Sequence, residues 1–252
     1  MHKEKMPGTY KILAKPVRFY NLWLLFMRLS FFIFILLTSK NCCAQWFDNI
    51  TAYTIQNGLS NNTITRLQKD EAGFLWAGTH EGLNRYDGTE FVNVLSSKKN
   101  HLPSNNILAL CFIGNNTIVA GTDQGLCFLN TFSLEGRLIT LHGGNVNFGL
   151  ENYIIDILFL KDKNEIWVSA WSGVFVLDIY GSIKKSIAPK PGATGRNAFA
   201  HQLLRDKNGD VFFYSSAYRG FYYPSFEKQD LIPVEKKLPC FDLNTLLKRN
   251  LT

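Results

Sequence analysis

Residues 63–94 alternate short apolar segments with turn residues at close, regular intervals. Thr63 to Lys69 reads as a strand, and Asp70-Glu71-Ala72-Gly73 as a turn in which glycine is free to take positive φ. Phe74 to Thr79 is a second strand, rich in bulky residues, and Gly82 to Tyr86 a third. Asp87-Gly88 is a tight turn, and Thr89 to Val94 a fourth strand. No apolar period of 3.6 runs through these segments, which excludes a helical solenoid.

The same pattern recurs. Trp76-Ala77-Gly78-Thr79-His80-Glu81-Gly82-Leu83 matches Val119-Ala120-Gly121-Thr122-Asp123-Gln124-Gly125-Leu126, 43 residues on, and no gap is needed. In a third copy, 48 residues later, Ile155, Leu158, Ile166, Trp167, Val168 and Gly173 take the places of Ile107, Leu110, Ile118, Val119, Ala120 and Gly125. A fainter fourth places Leu203, Asp206, Gly209, Val211 and Phe212 where the first has Leu67, Asp70, Gly73, Leu75 and Trp76. Four short strands per unit of about 43–48 residues predict an all-β fold, a partial β-propeller of about four four-stranded blades. The expected blades are 57–95, 99–143, 147–190 and 197–235 of an incomplete propeller over 45–235, followed by a tail at 236–252. Residues 46–56 read as the outer strand of a closing blade. Gly78 and Gly121 would admit a neighbouring blade closely, while Trp76, Trp167 and Phe212 would fill the space between sheets.

Gly58-Leu59-Ser60-Asn61-Asn62-Thr63-Ile64, then Asp70, Gly73, Phe74 to Thr79, Gly82 to Gly88 and Phe91 resemble the two-component regulator propeller repeat. The resemblance covers roughly residues 46–225 and departs in the third unit, where Ser169-Ala170 replaces Gly-Thr. It implies the periplasmic sensor region of bacterial sensor histidine kinases and hybrid two-component systems. Propellers close with four to eight blades, and that family's are similar to seven-bladed wheels, which need roughly 300 residues or more. The expectation is therefore an N-terminal fragment whose partners include the missing C-terminal propeller and kinase parts. Nothing kinase-like stands in 231–252.

Charge changes the picture less than its total suggests. The net charge is +7, but seven Lys and Arg against Glu4 alone lie in residues 1–44, and the remainder is close to neutral. No nucleic-acid partner is implied. Hydrophobic residues at 46% and aromatics at 14% exclude a disordered chain. Arg28, the apolar run Leu29 to Leu37 and Cys42-Cys43-Ala44 have the three parts of an export signal over 1–44, with cleavage expected after Ala44. Met27 is an alternative start. An uncleaved anchor from Phe19 to Thr38 ranks second, because Arg28 would sit in hydrocarbon; it would be the chain's one membrane contact. Either reading places the body outside the cytoplasm, in the periplasm. Cys111, Cys127 and Cys240 would remain, with Cys111 and Cys127 read as buried strand residues.

No paired acids, nucleophile set, metal spacing or cofactor motif is present, so the chain reads as no enzyme and as needing no cofactor. Asp206 to Asp210 begins like a calcium loop, but position twelve is Ala217, and a hairpin turn is the better reading. One constellation has chemical interest. Between the second and third strands the units carry His80-Glu81, Asp123-Gln124, Trp171-Ser172 and Tyr218-Arg219. Equivalent loops share one end of a propeller, and Asn61, Asn62 and Asn105 precede first strands at that end. Aromatic platforms flanked by polar groups suit the rings and hydroxyls of an oligosaccharide. A standalone scaffold for a protein or polysaccharide is the alternative, and a propeller lyase or glycosidase a third.

Overall fold

The computed structural model describes residues 19–38, 51–141, 152–189 and 200–237. The chain divides into two units, Met1–Ala52 and Tyr53–Thr252. In the first, α1 (Phe19–Thr38) is a twenty-residue helix, whose described side chains, 23–34, are exposed. Among the described residues no helix is long and apolar enough to cross a membrane. The cleavage site expected after Ala44 lies outside the described residues.

The second unit is built of four four-stranded antiparallel sheets, each of consecutive strands. The first holds β1 (Ile64–Lys69), β2 (Leu75–Thr79), β3 (Gly82–Tyr86) and β4 (Phe91–Val94). The second holds β5 (Ile107–Gly114), β6 (Thr117–Thr122), β7 (Leu126–Asn130) and β8 (Gly136–Ile139). The third holds β9 (Ile154–Leu160), β10 (Glu165–Ala170), β11 (Gly173–Asp178) and β12 (Ile183–Ile187). The fourth holds β13 (Leu203–Arg205), β14 (Val211–Ser215), β15 (Gly220–Ser225) and β16 (Asp230–Pro233), and α2 (Val234–Lys237) follows. First strands of successive sheets, β1 and β5, β5 and β9, β9 and β13, neighbour one another, so the sheets stack face to face in chain order.

The apolar core lies between sheets. Trp76, Leu83 and Val94 of the first sheet pack on Ile107, Leu110, Ile118, Ala120, Cys127 and Leu129 of the second. Val119, Phe128 and Ile139 meet Ile154, Ile157, Ile166, Val168 and Phe175 of the third. Trp167, Val174 and Val176 meet Leu203, Val211 and Phe213 of the fourth. Trp76 and Trp167 thus fill inter-sheet space, as expected. Phe212 does not: it packs on Tyr223 of its own sheet and Val234 of α2, because no further sheet covers that face among the described residues. The outward face of the first sheet leaves Ile64, Leu67 and Leu75 exposed.

Glycine governs how closely the sheets approach. A Cβ on Gly78 would stand 2.7 Å from Ile107 Cγ2, and one on Gly121 2.9 Å from Ile154 Cβ. The third sheet has Ser169 at this position, and its hydroxyl donates to the Ala200 carbonyl at 2.8 Å.

Side chains also cross each seam. Arg85 lies over Phe74 and Trp76 and donates to the Thr131 carbonyl of the second sheet's outer turn at 2.8 Å. Arg137 lies over Phe128 and donates to the Tyr180 carbonyl of the third sheet. The Lys185 ammonium stands 5.9 Å from the Phe226 ring of the fourth. The register pairs Trp76 with Arg85, Phe128 with Arg137 and Val176 with Lys185. One layer of each of these sheets thus carries a cation aimed at its successor.

Two expectations are corrected. Ile154 and Ile157, not Ile155 and Leu158, occupy the places of Ile107 and Leu110: Ile157 lies opposite Val168 as Leu110 lies opposite Ala120. The turn after β9 spans Lys161 to Asn164, whereas Asn115 and Asn116 follow a bulge in β5. The difference of one residue exchanges faces, and Leu158 accordingly packs toward the fourth sheet. Over its described part, 51–56, the outer strand expected over 46–56 is not formed. Residues 46–50 lie outside the described residues, 51–54 pair with no strand, and Ile55–Asn57 makes one 3-10 turn capped by Thr54. Tyr53 packs its ring on Tyr86 and Phe91 instead.

The turn chemistry repeats with substitutions. Asp70 accepts from Phe74 N at 2.9 Å and from the buried Trp76 indole at 2.7 Å. Asp206 accepts from Asp210 N at 2.9 Å, four residues on as in Asp70, and from the Tyr223 hydroxyl at 2.7 Å. Phe212, at the tryptophan position, has no donor, and Tyr223, whose ring packs against it, supplies one. Asp206 to Asp210 is therefore a hairpin turn.

Candidate end-loop site

The hairpins between second and third strands form from Thr-X-X-Gly. Thr79 Oγ1 donates to the Gly82 carbonyl at 2.9 Å and accepts from Glu81 N at 3.1 Å. Thr122 does the same with Gly125 and Gln124, at 3.0 Å each. Gly82, Gly125 and Gly173 close the turns at φ of 145°, 151° and 155°, a region open to glycine. The tip residues His80-Glu81 and Asp123-Gln124 are thereby fixed at one end of their sheets. Ala170 lacks the hydroxyl, and there Trp171 N donates to the Tyr153 carbonyl at 2.9 Å. The fourth hairpin is longer, since Ser215 pairs directly with Gly220. Tyr218 and Arg219 lie in it, Arg219 at φ 54°.

Three of the four hairpins meet a connector, leading into the next sheet or into their own. His80 Nδ1 lies 2.8 Å from Asn106 Oδ1, just before β5. Trp171 stacks edge-on against Tyr153, centroids 5.7 Å apart. His201 Nε2 lies 2.9 Å from Ser216 Oγ, and burial lowers the His201 pKa. His80, Glu81, Gln124 and Arg219 are exposed or nearly so, Asp123, Trp171 and Tyr218 half-buried, and Ser172 buried.

The asparagines hold loops. Asn61 Oδ1 accepts from Thr63 N at 2.7 Å, Asn62 Oδ1 from Ile55 N at 2.9 Å, and Asn105 Oδ1 from Ser96 N at 2.7 Å. Asn62 and Asn105, 43 residues apart, thus anchor successive connectors in the same way.

Asn106, Asn152 and Tyr153 belong to this end and were not singled out from the sequence. Their signal is positional: Asn106 and Tyr153 each stand directly before a first strand. At the other end of the second and third sheets a cleft of about 440 Å³ opens, lined by Phe128, Glu135, Arg137, Phe159 and Tyr180 among others. It contains none of the expected residues. Among the described residues no group of three His, Cys, Asp or Glu could hold a metal ion.

Residues 58–81, which hold β1, β2 and the first hairpin tip, match the family model "Two component regulator propeller". No curated protein matches the chain. Among solved structures the chain is similar to the extracellular domain of BT3049 from B. thetaiotaomicron, described as a putative hybrid two component system: TM-score 0.58, 21% identity, covering 73% of this chain and 26% of that one. It is also similar to the extracellular domain of BT4673 from the same organism, described as a putative one component system in one structure and a putative hybrid two component system in another. Those matches have TM-scores of 0.58 and 0.57 at 16% and 15% identity, and cover 77% and 74% of this chain. The chain spans only 26% to 28% of the length of these structures. Residues 58–81 thus carry a two-component regulator propeller repeat, within a four-sheet fold shared with these extracellular domains.

Proposed function

We propose that this chain is the extracytoplasmic, ligand-sensing part of a two-component signal-transduction sensor, an arc of propeller blades whose cue is an oligosaccharide. The observation that carries the reading is the gathering of hairpin tips and connectors at one end. There the Trp171 and Tyr153 rings meet edge-on in the third sheet, at the hairpin end where the first two sheets carry His80, Glu81, Asp123 and Gln124. Rings flanked by hydrogen-bonding groups suit a saccharide, whose C–H faces stack while hydroxyls bond. The shared fold supports an exported location, with residues 1–44 as the export signal. Signal transmission falls to kinase parts of the parent protein; this chain contributes recognition and no catalysis. The test is deletion of the gene in its source bacterium, followed by transcript profiling on single glycans. Loss of the response to one glycan is expected. An unaltered response to every glycan refutes the reading.

A further inference from the structure

The first strands β1, β5, β9 and β13 form one edge of the stack, each beside the next. At one place of the repeat the first three carry Arg66, Ala109 and Asp156, which lie opposite Gly78, Gly121 and Ser169 of their own second strands. The charges of the first and third sheets meet although the second sheet intervenes in the stack. Arg66 Nη2 stands 3.8 Å from Asp156 Oδ1, within the reach of an ion pair and beyond that of a hydrogen bond. The second sheet offers only the Ala109 methyl group at that place. Arg66 Nη1 donates to the Thr65 carbonyl at 2.9 Å, which steadies the guanidinium. The other carboxylate oxygen, Asp156 Oδ2, accepts from Leu203 N of the fourth sheet at 2.9 Å. One carboxylate of the third sheet thus holds the first by charge and the fourth by a hydrogen bond.

The Arg66–Asp156 pair skips a sheet, and a proton can remove it. The Asp156 side chain is 17% exposed and that of Arg66 44%. Burial raises the Asp156 pKa, and the Leu203 N–H and the Arg66 charge offset only part of that rise. The surroundings hold little else that titrates. Cys111 of β5 is close enough for Asp156 to help raise its thiol, which burial already pushes up to about 11, so it stays neutral. Strand β10 places Ser169 opposite, and β13 presents the Leu203 N–H. Arg205 of β13 is paired with Asp162, and His201 before it with Ser216. A carboxyl whose pKa is raised in the folded chain binds its proton more tightly there than in the unfolded chain. Its contribution to stability is therefore present at low pH and lost as pH rises through the folded value. Ionised Asp156 is held at a cost to the whole fold, and what it secures is the first sheet.

We propose that Arg66 and Asp156 form a proton-released latch along the inner edge of the stack: the ionised carboxylate ties the first sheet to the third, and its protonation loosens the first sheet while the others stay packed. The first sheet is the one such a latch can control, since its outward face leaves Ile64, Leu67 and Leu75 exposed and its apolar packing lies on the second sheet alone among the described residues. Acidification then has two opposite effects. The fold as a whole gains stability from Asp156, and the first sheet loses a tie.

The test is amide hydrogen exchange of the full chain, read by mass spectrometry, on the parent, Arg66→Gln, Asp156→Asn and the double variant. Asparagine keeps an acceptor for Leu203 N and removes the charge. At pH 7 each single variant should exchange its β1 and β2 amides about fivefold faster than the parent, the double variant no faster than either, and the third sheet at the parent's rate. Between pH 7 and pH 4 the difference between parent and Asp156→Asn in β1 and β2 should narrow, because the parent loses the same charge by protonation. Urea unfolding over that range supplies a readout that a purely structural ion pair would move the other way: the parent's midpoint should rise relative to that of Asp156→Asn as pH falls. Equal exchange in all four proteins, losses that add in the double variant, a difference that does not change with pH, or a parent midpoint that falls relative to the variant's each overturns the latch. No ligand enters these measurements, so their outcome is independent of the sensing reading.

Discussion

Replacing Gly121 by alanine adds one methyl group where the second and third sheets meet. That carbon would stand 2.9 Å from Ile154 Cβ and 3.2 Å from Ala109 Cβ, with Ile154 Cγ2 nearer still. Two of these atoms are Cβ carbons fixed to the backbone, so no rotamer change relieves the collision; the sheets themselves must part. Overpacking of this kind costs about 1–3 kcal/mol, and a clash with backbone-fixed atoms belongs in the upper half of that range. The lower chain entropy of alanine in the unfolded state returns about 0.4–1 kcal/mol. The net loss is then about 2 kcal/mol, which lowers the urea midpoint by roughly 1 M for a slope near 2 kcal/mol/M. The assay is urea unfolding of the full chain followed by tryptophan fluorescence. Gly88→Ala is the control: nothing lies within 4 Å of its Cβ and only φ +105° is strained, for about 1 kcal/mol. A Gly121→Ala midpoint equal to the parent's, or lowered no more than by Gly88→Ala, would refute the account of sheet spacing.

Other outcomes follow from the same contacts. Asp70→Ala leaves the buried Trp76 indole and Phe74 N without their acceptor, and a thermal melt should show a loss of about 2–3 kcal/mol; an unchanged melting temperature would contradict it. Burial pushes the Cys111 and Cys127 thiols up to about 11. At pH 8 both are held as thiols, and because the thiolate is the nucleophile, iodoacetamide should label them slowly in the folded chain and quickly in urea. Labelling of their peptides at equal rates in the two conditions, read by mass spectrometry, would contradict the burial of these side chains.

The repeats disclosed the sheets because strand alternation and turn glycines are local properties, written within about 40 residues. Even the faint fourth unit forms a whole sheet, its register set by Leu203 opposite Phe213 as Leu67 lies opposite Ala77. The one-residue shift at Ile154 was hidden, because Ile154, Ile155, Ile157 and Leu158 are all apolar and only the turn after β9 decides which face each takes. The seam-crossing cations were hidden for another reason. Arg85, Arg137 and Lys185 occupy two different strands of their sheets, third in one case and fourth in two, so no repeat alignment brings them together. At the end-loop site the hairpin tips were legible from their fixed position before glycine. Asn152 and Tyr153 were not, since a connector residue gains chemical meaning only from the sheet it faces. The asparagines were legible as loop residues, but a hydrogen bond to a backbone N–H seven or nine residues earlier, as in Asn62 and Asn105, leaves no periodic trace.

Because the three largest apolar clusters lie between sheets, this unit is mechanically a chain of couplings between nearest neighbours. Among the described residues the two inner sheets are each clamped between two others, whereas the first and fourth each pack on one. A disturbance at the second–third seam therefore reaches both ends with one intervening layer on either side. Motion there can be relayed outward through the stack without any long lever, as tilt passes along a row of leaning tiles.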